Sequence, residues 1–382
     1  MTVPEPASGT GPTGPRMDLA GRRPLRVLLV GKSAPDRGGI PTFLEMLRAG
    51  ALADTHDVSF LNVAHSGTPE GGKVTTGNLQ RTVADALAVR RMAAGQDIVH
   101  IHSALAPSVT VLRASLLALA ARSRGATVVV HAHGGNIQTW LSTPVRRVLM
   151  RLAMAPAKRV VAVWTAGQKV LESVLPAGKV ELVDNGVPLA APPVEETHEP
   201  PRILYVGLLT PRKGVLDLAQ ASRILKERGV DHELRLLGGT PDEGPDAETA
   251  VRDHLPEWTK LLGTREPGEM AAEYAQADIF CLPSWWEAMP LSVLEAMSSG
   301  LPVVATDVGD IARAVEHGRT GTVVPPKDPE RLADALEKLI RDPQARRRMG
   351  EAGRERVEHH FSADVTAERL HRLYLQVRSQ RR

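Results

Sequence analysis

With one cysteine among 382 residues, the chain cannot close an internal disulfide, so packing alone must hold it together. Cys281 sits in an apolar run, as a small buried residue does rather than an exposed nucleophile, and a reducing cytoplasm is the expected compartment. The chain also lacks an excess of either charge. Its 47 basic and 44 acidic side chains leave a net +3, which gives no global basis for binding nucleic acid. Apolar stretches are broken by Arg, Lys or Gly well short of the ~20 residues a spanning helix needs, so a soluble protein is expected. Residues 1–22, rich in Pro, Gly, Ser and Thr, have no apolar core. They read as a disordered tail and not as a signal peptide or anchor, with Met17 an alternative start. No Gly-x-Gly-x-x-Gly follows the first apolar run, which argues against a dinucleotide oxidoreductase.

The chain is longer than one core comfortably serves, and 42% hydrophobic content is enough for two. Short β-branched runs at 25–30, 57–63, 98–102, 127–131, 159–163 and 180–183 alternate with helical stretches at 41–49, 82–94 and 108–123. That is βα alternation with a parallel sheet, a Rossmann-like half over residues 23–187. Residues 188–201, rich in Pro, Ala and Glu and without periodicity, read as a linker. A second half over 202–362 starts with a strand at 203–206 and a helix at 215–228. It continues with a strand at 232–237, a loop with a short helix at 240–256 and a helix at 267–275. From Pro329 onward the chain is helical and highly charged, ending in a helix at about 363–377. The expected architecture is α/β, two Rossmann-like domains facing a cleft.

The most informative block is 281–307. An apolar strand at 279–282 leads into an acidic loop, then a helix opened by Pro290 and stopped by Gly300, then a second apolar strand at 301–305. This unit is one right-handed parallel crossover. Glu287 then lies in the loop at the strand's carboxyl end, and Glu295 on the helix eight residues later. Ligands bind at that end of open α/β sheets. A helix start offers free N–H groups and a positive dipole to phosphate, while two carboxylates suit sugar hydroxyls. Neither acid lies in a charged surface run, since Leu294, Ala296 and Met297 flank Glu295, and Trp285 and Trp286 precede Glu287. In the same half, Arg212 and Lys213 sit between a strand and a helix. A lysine at a helix start opposes the dipole unless an anion compensates.

This block resembles the Glu-x7-Glu signature of the retaining glycosyltransferases of family 4, which have the GT-B fold, and the following Gly300-Leu-Pro-Val-Val-Ala-Thr306 also fits. The resemblance implies that the final helix crosses back to the first domain. It places Glu287 beside the donor hexose and Glu295 on the nucleotide ribose, with Ala288, Met289 and Leu291 in the donor-binding segment between them. Lys213 matches the family's phosphate-binding lysine. The expected arginine is replaced by Leu208, which leaves Arg212 to supply a second charge. Gly38 and Gly39 match a glycine pair facing the donor diphosphate and acceptor. His133, before Gly134, matches the histidine near the sugar, with His131 as a core or supporting residue. Ser103 and Gly134 fall on the acceptor side, and Asn185-Gly186 resembles the turn before the linker. A departure at Gly309-Asp310-Ile311-Ala312-Arg313 implies a different sugar or nucleotide there.

The implied reaction moves a hexosyl unit, with retention, from a UDP- or GDP-linked sugar to a glycan, lipid-linked or small-molecule acceptor. The catalytic residues would be His133 and Glu287. No Asp-x-Asp motif is present, so no metal or cofactor is expected. Two other readings share the cleft: a non-catalytic nucleotide-sugar binder, favoured by Leu208, and a nucleotide-sugar epimerase.

Two further patterns stand out. His131 and His133, two apart on a strand, could share a metal, but no third ligand is evident in the sequence nearby; His100 and His102 read as packed core histidines. Residues 144–158 combine Val145, Val148, Leu149 and Leu152 with Arg146, Arg147, Arg151 and Lys158. That is either an interfacial helix touching the inner face of a membrane or a surface helix with a core stripe.

Overall fold

The computed structural model describes residues 23–64, 75–134, 137–191, 198–239, 249 and 251–380. The expected tail at 1–22, part of the linker (192–197) and most of the loop at 240–250 lie outside the described residues.

The first half is a six-stranded sheet, paired in parallel throughout, in the order β2-β1-β3-β4-β5-β6. Its strands are β1 (Arg26–Gly31), β2 (Asp57–Asn62), β3 (Ile98–Ser103), β4 (Thr127–Ala132), β5 (Arg159–Ala162) and β6 (Val180–Leu182). Helices cover both faces of the sheet, so its central strands are apolar on both sides: all six residues of β4 and five of β1 are buried. The second half repeats the plan in the order β12-β11-β10-β7-β8-β9. It uses β7 (Arg202–Val206), β8 (Glu233–Leu237), β9 (Thr259–Gly263), β10 (Ile279–Leu282), β11 (Val303–Thr306) and β12 (Gly321–Val324). Cys281 is buried in β10, and burial raises its thiol pKa, as expected for an inert side chain.

Two outer strands, β9 and β12, are absent from the sequence reading. Thr259–Gly263 carries a lysine and exposes most of its residues, as edge strands do, so it lacks the apolar run that marks a buried strand. Gly321–Val324 is four residues long and opens on glycine.

The last helix, Ala363–Ser379, leaves the second half and packs on helices Gly39–Ala49 and Ala51–Thr55 of the first. Ser362 caps it, accepting from Val365 N. Leu370, Leu373, Tyr374 and Val377 form its buried stripe. Where the two chain crossings meet, Val187 N donates to Phe361 O at 3.0 Å and Ala363 N donates to Val187 O at 2.8 Å.

Helix Pro144–Ala153 departs from the core-stripe alternative. Its core contacts come from Leu149, Met150 and Ala153, while Val145, Val148 and Leu152 are 77%, 57% and 68% exposed. No helix among the described residues is long and apolar enough to cross a membrane.

Candidate functional site

The second sheet starts at β7 in its middle, runs outward through β8 and β9, and returns to the other side of β7 with β10. Loops after β7 and β10 therefore diverge to opposite faces and leave a crevice between them. The first loop folds as a 3-10 turn, Pro211–Lys213, ending at Gly214 with φ +69°. A Cβ there would lie 1.8 Å from Pro283 O, so only glycine lets the two loops come this close. Trp285 N donates to Arg212 O at 2.9 Å. This contact brings Lys213 Nζ to 2.6 Å from Glu287 Oε1, which also accepts from Ser284 Oγ at 2.7 Å. The Glu287 carboxylate is buried and its lysine partner largely so. Arg212 is exposed on the outside of the turn.

Helix Leu291–Ser298 begins at Pro290, and no side chain caps its first turn. Its free N–H groups are available to an anion. Glu295, one turn on, accepts from Tyr274 OH at 2.7 Å. Burial raises the Glu295 pKa, against the lowering effect of the tyrosine hydrogen bond. Ala288, Met289 and Leu291 are buried. Two of their carbonyls are already used: Asp310 N donates to Ala288 O and Asn185 Nδ2 to Met289 O, each at 2.8 Å.

The first half supplies the opposite wall. A Cβ on Gly39 would stand 4.0 Å from Leu291 Cδ1; one on Gly134, at φ +120°, would stand 3.5 Å from Ala288 Cβ and 3.6 Å from the Trp286 ring. Gly38, at φ +118°, has open space where a side chain would be. His133 N donates to Ser103 O at 3.0 Å. The sequence-predicted residues thus converge: Lys213, Glu287 and the helix start on one side, Gly38, Gly39, Gly134 and the neighbouring His133 on the other. Arg212, next to Lys213 in the same turn, is exposed.

A second group went unrecognised in the sequence. Asp310 Oδ2 accepts from Thr165 N at 2.8 Å and Thr165 Oγ1 at 2.9 Å, capping the first-half helix Thr165–Glu172. Arg313 Nη1 also reaches Asp310, at 3.2 Å. Asp184 is buried between Arg313 and Arg369 of the crossing helix, the latter at 2.5 Å. In the departure at 309–313 the charged side chains tie the two halves together. A Cβ on Gly309 would collide with the Glu287 and Ala288 carbonyls, so this segment also sets the acidic loop.

The histidines form one group, with His100, His102 and His131 buried and His133 partly so. Neighbouring rings within β3, within the end of β4 and across the two strands have centroids 4.3–5.1 Å apart, walled by Phe43. Burial lowers the pKa of each, to about 3 for His100 and His133, with neighbouring rings adding to the effect on His100, His102 and His131. These side chains are neutral imidazoles. The trio that forms is not the His131–His133 pair: β3 pairs with β4 in a register that sets His102 opposite His131, and His100 completes a group of three that leaves out His133.

The family model described as Glycosyltransferase Family 4 matches residues 37–191, and that described as Glycosyl transferases group 1 matches residues 190–356. Among curated relatives, a D-inositol 3-phosphate glycosyltransferase of Corynebacterium glutamicum (strain R) is 38% identical over 45% of this chain and 42% of its own length. A glycogen synthase of Mycobacterium tuberculosis is 26% identical over 73% of this chain and 68% of its own. The chain spans about two fifths of the length of the first of these relatives. Among solved structures, a sucrose-phosphate synthase from Thermosynechococcus elongatus superposes with TM-score 0.72 at 22% identity, covering 93% of this chain and all (100%) of that one. Anabaena HepE in complex with UDP-glucose does so with TM-score 0.71 at 17% identity, covering 92% and 100%. Two family models lying end to end, and a pair of parallel sheets of matching topology, place the chain among the GT-B glycosyltransferases of the family 4 type.

Proposed function

We propose that the protein is a retaining glycosyltransferase that moves a hexosyl unit from a nucleoside diphosphate sugar to an acceptor hydroxyl. In this reading residues 202–362 hold the donor, residues 23–187 face the acceptor, and 363–382 fasten one to the other. The observation that carries it is the Lys213–Glu287 pair at 2.6 Å beside an uncapped helix start. A cation and free amides suit a diphosphate; carboxylates at Glu287 and Glu295 suit hexose and ribose hydroxyls.

During transfer the bond from the anomeric carbon to the diphosphate oxygen breaks, and negative charge grows on the leaving group. Lys213 Nζ and the first-turn N–H groups of helix Leu291–Ser298 are fixed in place to receive that charge, without a metal at the diphosphate. The acceptor oxygen attacks from the same face, and its proton passes to the departing diphosphate. Glu287 and His133 orient the hexose. Gly38 and Gly39 let backbone approach the diphosphate. UDP-glucose is the first donor to test, since HepE was captured with it, and inositol phosphates join glycans among the acceptors because of the corynebacterial relatives.

The test is turnover. UDP- and GDP-sugars are incubated with a panel of acceptors, nucleotide release is measured, and the anomeric configuration of the product is read by NMR. Nucleotide released in proportion to a product of retained configuration supports the reading. Binding without release would instead support the non-catalytic binder that Leu208 favours. Conversion of the donor without an acceptor would identify an epimerase.

The membrane contact is proposed on the exposure pattern. Val145, Val148 and Leu152 share a helix with Arg146, Arg147 and Arg151. Helix Ser108–Arg122 packs beside it and exposes Leu112, Leu116 and Leu119; helix Thr76–Met92, next in line, exposes Leu79, Val83 and Leu87. An apolar face rimmed by arginines fits an anionic lipid surface, and a lipid-linked acceptor would be reached from there.

A further inference from the structure

His100 and His102 stand two residues apart on β3 and so project from one face, and the strand register sets His131 of β4 opposite His102 on that same face. One ring nitrogen from each of the three lies within 4.8 Å of the others, and all three side chains are buried. Their hydrogen bonds follow one pattern. His100 Nδ1 is held by Tyr374 OH at 2.6 Å and His102 Nδ1 by His133 Nε2 at 2.8 Å. In both rings Nε2 has no partner, and neither nitrogen of His131 has one. Buried polar atoms are almost always paired, and a ligand held by one nitrogen of each ring would satisfy three of these four imidazole nitrogens.

We propose that His100, His102 and His131 bind a divalent transition metal, zinc foremost. Three imidazoles without a carboxylate suit zinc and its neighbours rather than magnesium or calcium, and three histidines leave a fourth position open. Histidines that ligate a metal through one nitrogen usually have the other fixed by an outer partner, which is the role Tyr374 and His133 play here. Zinc–nitrogen bonds of ~2.0–2.1 Å would draw the three nitrogens to roughly 3.3 Å apart, so the stacked rings of His100 and His131 would have to turn for their lone pairs to converge on the ion. Ligation through Nε2 leaves His102 Nδ1–H to donate to His133 Nε2, which fixes the His133 proton on Nδ1. The ion would also join β3 and β4 to the crossing helix through Tyr374. This site adjoins the proposed transferase site through His133, but its argument does not rest on the transferase reading.

The experiment uses the full-length, tag-free chain, stripped with a chelator and re-equilibrated with zinc or cobalt(II). Elemental analysis after gel filtration should find about one equivalent of zinc, with a raised melting temperature and the intense visible bands of four-coordinate cobalt. His131→Ala and His100→Gln should each weaken binding by about ten-fold or more while still melting cooperatively. Substituting the surface pair His359 and His360 with alanine should leave uptake unchanged. The proposal is overturned if the wild-type chain retains no metal, if both cluster variants bind as tightly as wild type, or if the surface variant is the one that loses the metal.

Discussion

Lys213 and Glu287 are 74 residues apart in the chain and 2.6 Å apart in space, brought together because β7 and β10 are neighbours at the point where the second sheet reverses direction. Each neutralises the other while no phosphate is bound. Lys213→Met should lower kcat by roughly a hundred-fold or more, the usual effect of removing one preorganised donor to a developing charge. Glu287→Gln, which keeps the shape, should lower kcat with little change in melting temperature. Steady-state kinetics and a thermal melt of each variant check both.

Gly214 is the hinge of that contact. Its φ of +69° and the 1.8 Å approach to Pro283 O leave no room for a methyl group. Gly214→Ala should cost about 3 kcal/mol or more in unfolding free energy, while Gly178→Ala, at φ +71° with open space around it, should cost about 1 kcal/mol. Urea denaturation of the two variants separates steric collision from backbone strain.

Glu295 makes stability depend on pH in a defined direction. Its pKa is raised in the folded protein above the 4.5 of an ordinary glutamate, so the folded state binds the proton more readily than the unfolded chain. Stability attributable to this group is therefore greatest below that ordinary value and is lost as pH rises through the folded pKa. Glu295→Gln should melt higher than wild type at neutral pH, and the gap should close on acidification toward pH 4.5. The same variant should bind nucleotide sugar more weakly. Melts across the pH range, with donor titration, measure both.

Asp184 accepts from two arginines, one on the short helix Ile311–Ala314 and one on the crossing helix, and is itself buried. Asp184→Ala takes this carboxylate from Arg369 and leaves Arg313 paired with Asp310, and should lower stability by about 2 kcal/mol. Thr165→Val removes one hydroxyl donor from Asp310 but keeps the amide, and should cost about 1 kcal/mol. Chemical denaturation distinguishes the two.

If the arginine-rimmed face docks on lipid, Val148→Asp combined with Leu152→Asp should abolish co-sedimentation with vesicles containing anionic phospholipid while leaving transfer to a water-soluble acceptor intact. Binding that is unchanged by the two aspartates would remove this part of the proposal.

How much of this was legible depended on whether the cause was local. The Glu287 loop and helix Leu291–Ser298 could be read because an apolar strand, a proline and a stopping glycine mark each boundary within the sequence itself. Lys213 was legible as a cation out of place at a helix start. Strand β9 was not, because an edge strand exposed to water has no reason to be apolar. Asp310 and Asp184 were opaque for a different reason: their partners Thr165 and Arg369 lie 145 and 185 residues away, and nothing in an isolated Asp signals a cap or a buried pair. The histidine trio was missed although all three residues were noted, since the third ligand is set by the β3–β4 register and not by spacing along the chain.

Tyr374 and its helix complete a surface laid down more than three hundred residues earlier, against helices Gly39–Ala49 and Ala51–Thr55. A chain emerging from the ribosome therefore makes its first sheet long before the piece that seals it exists. Until residues near 374 are released, His56 and His100 face an open seat, and the early half waits, partly uncovered, for that helix. Final consolidation of the first half is thus timed by the synthesis of helix Ala363–Ser379.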